Sequence, residues 1–85
     1  MARLIPNAER LRRARDLVQQ ARDLPVPSEF GKNDLAYIAQ VKDLLRQARD
    51  LIKFIPQMPS AADEIKEDVQ RIYQEIQLAE INILH

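Results

Sequence analysis

Side chains able to do covalent or acid–base chemistry are scarce in this 85-residue chain. Its one histidine, His85, ends the sequence, and it has no cysteine. Ser28 and Ser60 stand beside prolines, where a hydroxyl turns or caps the backbone. No nucleophile, base and orienting acid can be gathered from this set. A single glycine, Gly31, excludes a glycine-rich phosphate loop. Asp63 with Glu67, and Glu64 with Asp68, stand one helical turn apart. A hard cation usually draws ligands from several segments, whereas acids near a helix start suit the positive end of its dipole. The chain reads as a non-enzyme for which no cofactor, metal or small-molecule ligand is expected.

Two groupings could instead meet a macromolecule. Arg10, Arg12, Arg13 and Arg15 form a dense basic cluster of the kind that meets phosphates. On a helical wheel, Arg12, Arg15 and Arg22 share their outer arc with Asp16 and Asp23, which cuts the positive potential. Nucleic-acid binding through these arginines is therefore the alternative reading. The second grouping is apolar and lies near the C-terminus. Leu78 and Ile81 fall on the side of a helix away from its apolar stripe, Leu84 extends the edge, and Gln70 and Gln74 supply a polar rim. Such a patch predicts a contact with another protein or with a second copy of the chain. The leading expectation is a non-catalytic helical protein–protein interaction module that self-associates or binds a partner through this strip.

The elements that must position these residues are set by a seven-residue apolar rhythm. Ala62, Ile65, Val69, Ile72, Ile76, Ala79 and Ile83 are spaced alternately three and four apart, as are Ile38, Val41, Leu45, Ala48, Ile52 and Ile55. Leu11, Ala14, Val18 and Ala21 repeat the spacing in the first third. Three amphipathic stripes on one short chain predict a single all-α domain, a small antiparallel (up-down-up) three-helix bundle with coiled-coil-like packing. The predicted helices cover residues 7–24, 33–55 and 60–84. Pro25 and Pro56 stop the first two. Asn33 or Asp34 caps the second, and Ser60 with Asp63 makes a capping-box pattern for the third. A chain this short commits its apolar residues to one core, which leaves little for a deep cavity.

Net charge is zero but unevenly placed: residues 1–24 carry +3, residues 25–56 carry +1, and residues 57–85 carry −4. Opposite charges favour the first and third helices as neighbours. The bundle ends are expected to be plugged by Val26 and Phe30 over Ile83 and Leu84, and by Phe54, Ile55, Met58, Leu4 and Ile5. Tyr37 and Tyr73 are expected at core margins with their hydroxyls in water. The segment from Arg15 to Leu24 also echoes Lys42 to Leu51, identical at seven of ten positions with an offset of 27. Duplication of a helix and convergence on common bundle residues both explain the echo. The N-terminus lacks the apolar run of a signal peptide, and no stretch nears the roughly 20 apolar residues that span a bilayer. With no cysteine to oxidise, a cytoplasmic, membrane-free protein is expected.

Overall fold

A computed structural model of the chain describes residues 6–28, 31, 34–58 and 61–84, with Leu84 described by its backbone alone. Three helices carry the fold, and the described residues contain no strand: α1 (Asn7–Asp23), α2 (Leu35–Ile52) and α3 (Asp63–Leu84). The predicted three-helix bundle is present. Of the residues expected at its ends, Leu4, Ile5, Phe30, Asn33, Ser60 and His85 lie outside the described residues, as does the side chain of Leu84.

Each helix starts and stops for a local reason. Pro6 precedes α1 without a side-chain cap, and its fixed φ suits a helix entrance. Asp34 caps α2: its carboxylate accepts a hydrogen bond from the backbone N–H of Tyr37 at 3.0 Å. Gly31 precedes that cap with φ of +56°, in the left-handed region that costs other residues energy. α2 ends at Ile52, three residues before the predicted stop. The backbone then tightens into a 3-10 turn, Ile55–Gln57, because a residue preceding proline resists the α conformation. α3 begins at Asp63 rather than at residue 60, with Asp63 and Glu64 in its first turn facing the dipole.

The core is built from the stripes. Leu11, Ala14, Val18 and Ala21 are buried on α1, and Val41, Leu45, Ala48 and Ile52 on α2. α3 supplies Val69, Ile72, Ile76 and Ala79, all fully buried. Each large side chain among them contributes about 1.5–3 kcal/mol of transfer free energy. The first turns depart from the strict rhythm. Tyr37, not Ile38, is the buried residue at the start of α2, and Ala61, not Ala62, is buried ahead of α3. A first turn meets its neighbours at an angle set by the incoming loop, so periodicity does not decide which residue there faces inward.

The end plugs are also fewer than expected. Ile55 is fully buried and Met58 packs against the core, but Phe54 and Val26 face water. The 3-10 turn sends Ile55 inward and leaves the ring of Phe54 beneath the Lys53 ammonium, 5.0 Å from its centroid. Val26 stands between two prolines, in the connection outside the helices.

Contacts between helices fix how the hairpin and the third helix meet. The start of α1 lies against the end of α2, where the Arg10 guanidinium donates to the Leu51 carbonyl oxygen at 3.4 Å. Arg15 on α1 reaches Asp68 at 3.5 Å, while Arg49 on α2 pairs with Glu80. Asp68 and Glu80 are separated by twelve residues, about 18 Å of helix rise. Their two arginines sit at nearby levels of the hairpin. α3 therefore runs obliquely across the α1/α2 pair, and it packs more extensively on α1 than on α2.

Candidate interaction surface

The oblique course of α3 buries one side of it and leaves the other in water. Leu78 is 52% exposed and Ile81 is 58% exposed, although Ile76 and Ala79 beside them are at 0%. Gln70, Gln74 and Gln77 are exposed along the same stretch, so the apolar pair is edged by uncharged amides. Arg71 lies seven residues before Leu78, and hence on the same face of the helix. Its guanidinium is largely solvent-facing and touches Asp68 at 3.4 Å. The sequence-predicted strip of Gln70, Gln74, Leu78 and Ile81 is thus a continuous accessible face.

The arginine cluster is arranged differently. Arg12 and Arg13 both converge on Glu9, at 2.5 and 3.1 Å. Those hydrogen bonds, from Arg12 foremost and then from Arg13, hold the Glu9 carboxyl below its ordinary pKa. Arg15 is engaged by Asp68 and Arg10 by the Leu51 carbonyl. All four cations therefore have acceptors within the fold, and a phosphate would have to compete for them. α2 repeats the device: Arg46 and then Gln47 bond Asp43 and lower its pKa.

A second surface was not foreseen from the sequence. Between α1 and α2, on the side that no α3 residue lines, runs an open groove of about 540 Å³. Leu17 and Leu51 form its floor, and Arg13, Asp16, Gln20, Gln47 and Asp50 form its rim. Leu17, Leu24, Leu44 and Leu51 are all half-buried beside the core stripe. They are repeat partners at the offset of 27, as are Gln20 and Gln47. The repeat was the signal that could have pointed to the groove, because it gives both walls half-buried leucines beside the core stripe and the matched amides Gln20 and Gln47. A smaller cleft between α1 and α3 is lined by Arg15, Val18, Gln19, Arg22 and Glu75.

Among the described residues, no group of three or more His, Cys, Asp or Glu side chains is placed to hold a metal ion. No buried side-chain polar atom among them lacks a hydrogen-bond partner. None of the described helices is long and apolar enough to cross a membrane. The class defined by fold and surface is a small all-α bundle with an exposed apolar pair on α3. No known family model, curated protein or solved structure matches the chain.

Proposed function

We propose that the chain is a non-catalytic helical interaction module that docks another helix on the C-terminal half of α3. The supporting observation is the exposure of Leu78 and Ile81, each more than half open to water on a helix whose opposite side is sealed. In this reading the two side chains supply the apolar contact, while Gln70 and Gln74 form the polar rim that excludes water around it. The cysteine-free sequence suits a reducing compartment, and we place the module in the cytoplasm.

The test is the double substitution Leu78→Asp with Ile81→Asp. Both positions face solvent, so helicity and melting temperature should hold. Mass by light scattering, or retention of a purified partner, should fall. Unchanged mass together with unchanged retention would remove the proposal. Tight, steeply salt-dependent binding of DNA or RNA that disappears in Arg12→Ala with Arg13→Ala would replace it with the basic-helix reading.

A further inference from the structure

Resting on that reading, we infer that the occupant of the α3 strip is a second copy of this chain, presenting its α1/α2 groove. The argument is one of complementarity between two surfaces that the fold leaves uncovered. The strip offers, along one face, the cation Arg71, the amides of Gln74 and Gln77, and the apolar pair Leu78 and Ile81. The groove offers the counterparts: a carboxylate at Asp16, amides at Gln20 and Gln47, and an apolar floor at Leu17 and Leu51.

Charge gives the match its direction. Among the described residues Asp16 has no direct hydrogen bond or ion pair, though it attracts Arg12 on the same helix, and it stands on the lip of the groove. Among the described residues Arg71 is held by a long contact to Asp68, a carboxylate that Arg15 also engages. An Arg71 from the second copy would meet in Asp16 a carboxylate that no described residue holds in a direct ion pair, with only the longer-range attraction of Arg12 to displace. A groove of about 540 Å³ has room for the two aliphatic side chains of the strip. Strip against strip would instead set Arg71 near the exposed Glu67 and Glu75 of the second copy and would leave the groove uncovered in both.

The geometry also sets the kind of assembly. Strip and groove lie on different sides of the molecule, because the groove is formed by α1 and α2 without α3. A contact between unlike surfaces is heterologous and leaves a free strip at one end and a free groove at the other. Association should therefore climb with concentration past the dimer rather than stop there.

Sedimentation of the full chain across concentration tests this, with three variants checked first for unchanged helicity. Asp16→Arg should weaken association about tenfold, through repulsion from Arg71. Adding Arg71→Asp to it should recover most of the loss. Mixing Asp16→Arg, whose groove is blocked, with Leu78→Asp plus Ile81→Asp, whose strip is blocked, should give a single one-to-one complex and nothing larger. Full-strength association by Asp16→Arg, failure of Arg71→Asp to rescue it, or a monomer at every concentration would each overturn the inference. If only the Leu78→Asp, Ile81→Asp protein loses association, the strip remains an interaction surface and the groove is not its receptor.

Discussion

The two sides of α3 are made from similar residues and behave in opposite ways. Its inward side places Val69, Ile72, Ile76 and Ala79 in a dry, close-packed interior. The outward side places Leu78 and Ile81, equally apolar, in water. Burial is thus decided by heptad position rather than by hydrophobicity, and an apolar residue off the stripe is available for work other than folding. The contrast also separates what holds the bundle from what it can touch.

The contrast is sharpest where a cavity can be made. Ile76→Ala should destabilise the fold by about 2–5 kcal/mol, enough to bring a domain of this size near its unfolding threshold, as chemical denaturation would show. Ile81→Ala on the other side should change stability by less than about 0.5 kcal/mol, and a loss as large as that of Ile76→Ala would erase the distinction. Between these extremes lies a helix end that belongs to neither side. Asp34→Ala removes the side chain that caps the start of α2 and should cost about 1 kcal/mol by the same measurement. The clasp between Arg49 and Glu80, both partly exposed, should show a coupling of about 0.2–1 kcal/mol in a double-mutant cycle. The smallest effect is one of pH. Glu9 and Asp43 have carboxyls held below their ordinary pKa by arginine hydrogen bonds. Their contribution is present above the ordinary carboxylate range and is lost as pH falls through the lower folded values, below about pH 4. Melting temperature followed from pH 6 to pH 3 should slope slightly less in Glu9→Gln with Asp43→Asn.

The stripes were legible because the core positions of α1 and most of those on α2 and α3 recur at helical spacing whatever the loops do. The exposure of Leu78 and Ile81 followed from the same wheel. What periodicity could not supply lies at joints and between helices. Tyr37 replaces Ile38, and Ala61 replaces Ala62, because the angle of the first turn depends on the loop before it. Phe54 looked like a plug by composition, yet the turn after Ile52 aims Ile55 inward in its place. The oblique course of α3 is encoded in long-range pairs such as Arg15 with Asp68, which no local pattern reveals. The clasp of Arg12 and Arg13 on Glu9 was within reach: the acid precedes them by three and four residues, the spacing of helix-surface neighbours.

Gly31 adds a different kind of constraint. A methyl group added at its Cα would meet nothing within 4 Å, so the position has room for any small side chain. What it lacks is a tolerated dihedral, since its φ of +56° costs an ordinary L-residue about 1–2 kcal/mol. Replacement by alanine is therefore penalised by handedness alone, and asparagine, which visits that region more readily, is the mildest exchange. The joint ahead of α2 is specified by chirality rather than by volume, so few residue types suit it although a Cβ there would have open space.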